Sequence, residues 1–135
     1  MSTNGVLRRV GYVSLARHPL GDESDRDILL VSRELNAGAE VTGFLFRTGR
    51  HFIQVLEGRD RPVMETMERI RRDERHFDMR EWTPEWVGNR VFADWDMGYF
   101  ATAEDEMFAF ALYRDKDDPP TETIMTLRAM SETFS

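Results

Sequence analysis

The sequence predicts a single α+β domain in which helices pack against a mixed β-sheet. Runs with strand-like alternation, rich in β-branched and aromatic residues, are interleaved with two segments of helical period. The chain has 135 residues, of which 41% are hydrophobic, and this size suits one hydrophobic core and not two. Because no stretch of about 18 consecutive apolar residues occurs, we expect no membrane span and a cytoplasmic protein.

The first strand and the first helix lie in the N-terminal third of the chain. Residues 7–15 alternate between two faces, with Tyr12 on the face that the pattern assigns to the interior. After a loop, a serine or an aspartate can cap a helix whose apolar residues recur with a helical period. We expect this helix to end near Ala37, with Gly38 as its stop.

A hairpin and a second helix follow. Two strand-like runs, 41–47 and 51–57, flank a short turn in which Gly49 can adopt a positive φ. Pro62 then lies in the first turn of a second amphipathic helix, because proline is tolerated there. We expect this helix to end near Asp73.

The next segment has a strand-like pattern again. Residues 77–86 and 91–100 are predicted as a further pair of strands around the turn 87–90. With the earlier segments they give the order βαββαββ, which predicts a ferredoxin-like core with a five-stranded mixed sheet. Both helices of such a core lie on one face of the sheet.

The C-terminal part of the chain contains two short amphipathic segments. They are separated by a charged stretch that ends in two prolines. Since the core helices cover one face of the sheet, we expect these two helices to cover the other. The predicted organisation is a core domain over residues 5–100 and a helical cap over 101–135, with no separate effector domain.

The composition excludes several kinds of chemistry. The chain has no cysteine, which excludes disulfides, thiolate catalysis and light reactions that form a cysteinyl adduct. Its 25 acidic residues outnumber its 18 basic ones and the two signs are interleaved, which argues against direct nucleic-acid binding. His18, His51 and His76 lack metal-ligand spacing, and no P-loop, dinucleotide or hydrolase motif occurs, so we expect neither a metal nor an enzyme.

Polar residues at positions that the pattern assigns to the interior are the most informative feature. Gln54 lies within the apolar stripe of the run 51–57, and a buried amide costs about 1–3 kcal/mol unless it is hydrogen-bonded. Tyr12 has a comparable inward register, and Asn36 lies one turn after Ser32 on the first helix. Two interpretations are open at this point, namely a polar cluster that satisfies itself and a binding site.

In these segments the chain resembles BLUF domains, the blue-light sensors that use flavin. The resemblance covers about residues 7–100, in the order and with the spacing of the family. The motifs that carry it are Gly11-Tyr12-Val13-Ser14, Ser32 with Asn36, Val41-Thr42-Gly43, Gln54-Val55-Leu56-Glu57-Gly58, Arg69-Ile70 with Asp73-Glu74-Arg75-His76, and Phe92-Ala93-Asp94-Trp95-Asp96-Met97-Gly98. The fourth motif in combination with the last is specific for the family.

The resemblance implies a flavin site between the two predicted helices. The isoalloxazine ring would lie there and contact polar side chains of the helices and of the strands beneath them, namely Tyr12, Ser32, Asn36, Gln54, Arg69 and Asp73. The cofactor that the resemblance implies is a flavin. We expect FAD, with FMN and riboflavin as alternatives.

The resemblance also implies a photochemical role for Tyr12 and Gln54. Blue light would drive electron and proton transfer from the Tyr12 phenol through the Gln54 amide to the flavin. On recombination the amide is rotated or tautomerised, a hydrogen bond to the flavin carbonyl is gained, and the absorption shifts to the red. Trp95 and Met97 would pass the change to the C-terminal helices and to a downstream partner protein. We also expect a homodimer or a larger homo-oligomer, with no direct nucleic-acid or membrane binding.

Other function classes are compatible with the same fold. One is a flavin-free, ferredoxin-like protein-interaction module, and another is a small enzyme of the acylphosphatase-like kind. An RNA-recognition domain is the least favoured, because the chain is acidic and has no basic-aromatic strand motif. Flavin absorption of the purified protein separates the photoreceptor from all of these.

Overall fold

Strands and helices are interspersed along the described part of the chain. The computed structural model describes residues 6–93, 98–104, 106–114 and 125–129. In chain order the elements are β1 (Leu7–Ala16), α1 (Glu23–Ala39), β2 (Thr42–Arg47), β3 (His51–Gly58), α2 (Asp60–Arg71), β4 (His76–Glu81), β5 (Glu85–Val87), β6 (Gly98–Ala101) and α3 (Glu106–Arg114). Residues 125–129 are helical as well. Within these ranges no helix combines the length and the hydrophobicity needed to cross a membrane.

The strands form one mixed sheet with the order β4, β1, β3, β2, β6. The central strand β3 pairs antiparallel with β1 on one side and with β2 on the other. The edge strand β6 runs parallel to β2. The α+β class with a ferredoxin-like arrangement is therefore confirmed.

The strand predicted over residues 77–86 is divided in two. β4 pairs with the C-terminal half of β1, and β5 pairs with its N-terminal end, on the same edge. Pro84 lies between them and has no N–H to donate to a ladder, which interrupts the strand. The sheet consequently has six strands instead of the expected five.

Residues 77–86 and 91–100, predicted as a pair of strands around the turn 87–90, do not pair with each other. β4 and β5 lie beside β1, whereas β6 lies beside β2 at the opposite edge of the sheet. The backbone N–H groups of Val91 and Phe92 donate to the buried carboxylate of Glu57, at 2.9 and 2.7 Å, and so are withdrawn from strand pairing. A long-range hydrogen bond of this kind has no local sequence signal.

The end of α1 also differs from the prediction. Gly38 lies inside the helix, and Glu40 adopts the left-handed conformation with φ of 56°. The Val41 N–H donates to the Asn36 carbonyl at 3.0 Å, and the Glu40 N–H donates to the Ala37 carbonyl at 3.4 Å. This is a Schellman arrangement with glutamate where glycine is usual, and it fixes the last turn of α1 around Asn36.

Apolar clusters lie on both faces of the sheet. Between the sheet and the helices α1 and α2 lie Val10, Tyr12, Val41, Leu45, Phe52, Leu56, Val63 and Met67. On the opposite face lie Val13, Phe44, Phe46, Ile53, Val55 and Phe92, together with Ala109 of α3 and Leu127. The described parts of the C-terminal helices therefore cover the face opposite α1 and α2, as predicted.

Candidate functional site

A cleft lies between α1 and α2, above the face of the sheet that these helices cover. It contains about 700 Å³ of empty space, part of it open to solvent. Its apolar lining consists of Ile28, Val31, Leu35, Phe52 and Ile70. Its polar lining consists of Tyr12, Ser32, Asn36, Gln54, Thr66, Arg69, Asp73, Arg75 and His76. We call this space the helix cleft; all six ring-contact residues predicted from the sequence line it.

Tyr12 and Gln54 form the floor of the helix cleft. They are direct partners in the register of β1 and β3, and their side chains are 4% and 3% exposed. The Tyr12 hydroxyl donates to Gln54 Oε1 across 2.6 Å. Burial, and secondarily the negative charge of Asp73, raises the pKa of the Tyr12 phenol. The phenol is therefore neutral at physiological pH and acts as a hydrogen-bond donor.

Ser32 and Asn36 come from the α1 side of the helix cleft. They are one helical turn apart and therefore lie on the same face of α1. Ser32 is partly exposed, whereas Asn36 is only 1% exposed. The Schellman end of α1 holds the Asn36 backbone carbonyl, and the Asn36 side chain lines the cleft.

Arg69 and Asp73 come from the α2 side, and each is held by a neighbour. Arg69 donates to the Thr66 hydroxyl at 3.2 Å, and Thr66 in turn donates to the Pro62 carbonyl. Asp73 accepts the backbone N–H of Arg75 at 2.9 Å and lies 3.7 Å from the Arg75 guanidinium. These contacts orient one cation and one anion along the rim of the helix cleft.

His76 is a cleft residue that sequence reasoning assigned no role. Its Nδ1 is 2.6 Å from the Ser14 hydroxyl, and its Nε2 is 2.7 Å from the Ile70 carbonyl. Because a carbonyl only accepts, Nε2 is the donor in the contact with Ile70. The imidazole centroid lies 5.6 Å from that of Tyr12. His76 thus packs against the Tyr12 ring, and its only sequence signal was its place after Asp73 in a family motif.

The two predicted signalling residues, Trp95 and Met97, lie outside the described residues. The strand that follows them begins at Gly98, which pairs with Phe44 of β2. As for metals, no group of three or more histidine and carboxylate side chains in the described part of the chain could hold an ion.

The side chains of the helix cleft fit a flavin. An isoalloxazine ring is flat and largely apolar, and its polar edge carries carbonyl acceptors and an N–H donor. The apolar lining suits the ring faces, and the amides of Asn36 and Gln54 can both donate and accept. The Arg69 guanidinium adds donors only, which suits a carbonyl. The residues present are therefore a chemically suitable set for this cofactor.

The amino-acid sequence aligns with that of a known protein over nearly the whole chain. The chain is 28% identical over 129 residues to the photoactivated adenylate cyclase subunit beta of Euglena gracilis, a match that covers 95% of this chain and 14% of that protein. The chain therefore spans about one seventh of the length of that relative.

Solved structures share the fold. The dark-state structure of BlrB, a BLUF protein, superposes with a TM-score of 0.74 at 28% identity and covers 95% of this chain and 97% of that one. Klebsiella pneumoniae BlrP1 with FMN and cyclic diGMP has a TM-score of 0.64 at 23% identity, over 91% of this chain and 34% of that one. The model of the BLUF family, sensors of blue light using FAD, matches residues 7–98. The chain belongs to the BLUF family of photosensors.

Proposed function

We propose that the chain is a blue-light photoreceptor that holds a flavin non-covalently in the helix cleft, with Tyr12 and Gln54 as its photoactive pair. The observation that carries this proposal is the buried 2.6 Å hydrogen bond between the Tyr12 hydroxyl and Gln54 Oε1. Ser32, Asn36, Arg69 and Asp73 would hold the ring through the contacts that line the cleft. We propose FAD as the cofactor, with FMN and riboflavin as alternatives.

In this proposal Tyr12 gives up an electron together with a proton. Its raised pKa keeps the phenol protonated, so the proton leaves only when the phenol is oxidised. Gln54 Oε1 already accepts the phenolic hydrogen bond and is the group to which this proton moves. A bound flavin supplies the absorption of blue light and the capacity to accept an electron.

Gln54 is the two-state element of the proposed switch. A side-chain amide carries one acceptor and one donor group on a rigid plane. Rotation or tautomerisation therefore exchanges what Gln54 presents to Tyr12 and what it presents to the cleft. Since both arrangements keep the phenol hydrogen-bonded, they differ little in energy, as a switch requires.

The proposed output path leads from β3 to the C-terminal helices. β3 carries Gln54 and pairs with β2, which pairs in turn with β6 directly after Trp95 and Met97. On the far face of the sheet, Ala109 and Leu127 pack against the same strands. We propose that the core of residues 5–100 signals through the cap of residues 101–135 to a partner protein, and that the chain forms a homodimer or larger oligomer.

A first test asks whether the protein holds flavin and responds to light. We expect the purified chain to show flavin absorption that shifts to the red under blue light. Tyr12→Phe should retain the flavin and lose the shift, since the ring packing remains and the electron donor is gone. Tyr99→Phe, a substitution at a half-buried tyrosine of β6, is the matched control and should shift normally.

Two outcomes would contradict the proposal. A chain that takes up no flavin on reconstitution would favour the flavin-free interaction module. A normal red shift in Tyr12→Phe would show that the electron comes from another group.

A further inference from the structure

We infer that Trp82 is a positioning residue for the proposed photoactive pair, because its indole ring holds the backbone of β1 in place beside Tyr12. This role rests on the proposed function and deepens it. Trp82 directly follows β4 and is partly exposed, and it packs against the apolar cluster on the face of the sheet opposite the helix cleft. It therefore acts on Tyr12 from outside the flavin site.

Gly11 is the residue of β1 against which the indole packs. A β-carbon at Gly11 would overlap Cε3 and Cζ3 of the Trp82 ring, so the ring in its present position requires a glycine there. The Trp82 N–H donates to the Gly11 carbonyl at 2.9 Å. Trp82 thus holds the residue before Tyr12 both through its backbone and through its ring.

Gly11 lies in a gap between two edge strands. On this side of β1, β5 pairs as far as Arg9, and β4 pairs from Tyr12 onward. The register of β4 with β1 is also irregular just beyond Tyr12. In the gap, the Trp82 N–H and ring take the place of a ladder partner, so the position of β1 at this point depends on them.

The position of β1 at Gly11 also affects the photoactive pair, through the strand on the other side of β1. Gly11 and Tyr12 are paired in register with Val55 and Gln54 of β3. The Tyr12 hydroxyl is 2.6 Å from Gln54 Oε1, at the short end of the hydrogen-bond range, so a small shift of β1 away from β3 would lengthen this bond. A misplacement of about 1 Å, even one caused by a residue remote from the chemistry, can slow a reaction about 100-fold.

The segment that carries Trp82 is itself anchored. Glu81, the last residue of β4, is opposite Tyr12 in the register of β4 and β1. Its carboxylate accepts two hydrogen bonds of 2.7 Å from Arg71 of α2, which fixes this end of β4. Adjacent residues of an extended segment point to opposite faces. Glu81 is therefore tied to a helix on the cleft side, while Trp82 packs against β1 on the other side.

The first experiment measures the quantum yield of the light-induced red shift in the flavin-loaded full chain, in preparations matched for bound flavin. Trp82→Ala should lower this yield about tenfold or more, because Tyr12 is no longer held at hydrogen-bond distance from Gln54. Trp82→Phe, which keeps an aromatic ring on Gly11, should retain most of the yield.

Two control variants should keep the yield of the unmodified chain. Trp86→Ala is matched for residue type, since that indole is 55% exposed and lies over the Arg8 guanidinium, at 3.6 Å, instead of over Gly11. Phe100→Ala is matched for lost packing, since Phe100 packs against the same apolar cluster as Trp82 but lies on β6. Urea unfolding of each variant checks that the fold persists.

The second experiment needs no flavin. Hydrogen exchange of the β1 backbone amides around Tyr12, compared with those of β2 by NMR in the flavin-free chain, should become several-fold faster in Trp82→Ala and not in Phe100→Ala. Gly11→Ala tests the same contact without removing the indole, because the added methyl group displaces the ring. It should also speed exchange and lower the quantum yield, and it replaces Trp82→Ala if that variant does not fold.

The outcomes separate the role of Trp82 from the proposed function. Equal quantum yields in Trp82→Ala and Phe100→Ala would show that the indole contributes packing alone, and a normal yield in Gly11→Ala would equally overturn the positioning role. If the unmodified chain shows no red shift at all, the proposed function is contradicted, and hydrogen exchange decides separately whether Trp82 holds β1. Faster exchange around Tyr12 in Trp82→Ala than in Phe100→Ala then supports this hold, and equal exchange overturns it.

Discussion

Two buried polar groups on β3 have different surroundings, although they are only three positions apart in the sequence. Gln54 faces the helix cleft, and its amide oxygen accepts the Tyr12 hydroxyl at 2.6 Å. Glu57 faces the other side of the sheet and accepts the backbone N–H groups of Val91 and Phe92 at 2.9 and 2.7 Å. The alternation of side chains along a strand is what sends them to opposite faces.

The difference between these groups lies in how many alternatives each one has. An amide can exchange donor and acceptor by rotating, which is the change that the proposed switch assigns to Gln54. The Glu57 carboxylate is fully buried, can only accept, and has Arg9 within 3.4 Å in addition to its two N–H donors. Any movement would leave a buried charge without its partners, which is expensive. In the proposed mechanism, one strand therefore carries a switchable group, Gln54, on its cleft face and a fixed group, Glu57, on the opposite face.

The largest effect, a loss of stability, is expected when the fixed group Glu57 is replaced by alanine. Glu57→Ala should lower the free energy of unfolding by about 3–5 kcal/mol, because Arg9 and two backbone N–H groups lose a buried acceptor. Urea unfolding followed by far-UV circular dichroism measures this loss. In flavin-loaded protein that remains folded, the light-induced red shift should persist, since Tyr12 and Gln54 are on the other face. A loss below about 1 kcal/mol would show that Glu57 is not an anchor.

The switchable group was predictable from the sequence, and the reason is local. Gln54 interrupts an apolar stripe whose period is visible within one strand, and Tyr12 interrupts another. The register of β1 and β3 then brings the two side chains together. Helix α2 and both hairpin strands were likewise predictable, because each is fixed by its own periodicity and turn residues.

The fixed group was not predictable, and neither was the path of the chain after α2. The partners of Glu57 lie more than 30 residues away, and their contacts replace a strand pairing that the local pattern favours. Glu40 ends α1 in a conformation for which Gly38 was the better local candidate. In these cases tertiary contacts decide the outcome, and local propensity does not record them.

A substitution at Gln54 removes the group that we propose as the switch. Gln54→Leu should change the free energy of unfolding by only about 1–3 kcal/mol, since one buried hydroxyl loses its acceptor while apolar packing is gained. The light-induced red shift should nevertheless disappear, because leucine has no donor or acceptor to exchange. Absorption spectra before and after illumination, with bound flavin quantified after extraction, test this. A red shift that survives the substitution would remove Gln54 from the switch.

At alkaline pH we expect a smaller and graded loss of stability, caused by the Tyr12 phenol in the helix cleft. Burial raises the pKa of the Tyr12 phenol above its value in the unfolded chain, so the folded state retains the proton longer. The stabilisation is complete below a pH of about 10, where unfolded tyrosine is protonated, and decreases as the pH rises beyond that by up to about 1.4 kcal/mol per pH unit. Tyr12→Phe should therefore flatten the alkaline fall in stability measured by urea unfolding. Tyr99, whose pKa is raised to about 12 mainly by burial, should contribute over a narrower range.

The smallest effect is expected at Glu85, the second and more exposed carboxylate beside Arg9. Arg9 lies 3.4 Å from both Glu57 and Glu85, but the Glu85 side chain is 49% exposed whereas that of Glu57 is fully buried. Because water screens an exposed pair, Glu85→Ala should cost about 0.2–1 kcal/mol by urea unfolding, several times less than Glu57→Ala. If the two substitutions have equal effects, the importance of Glu57 comes from its pairing with Arg9. If they differ as expected, it comes from the burial of Glu57, which leaves Arg9 and the N–H groups of Val91 and Phe92 without an acceptor when the carboxylate is removed.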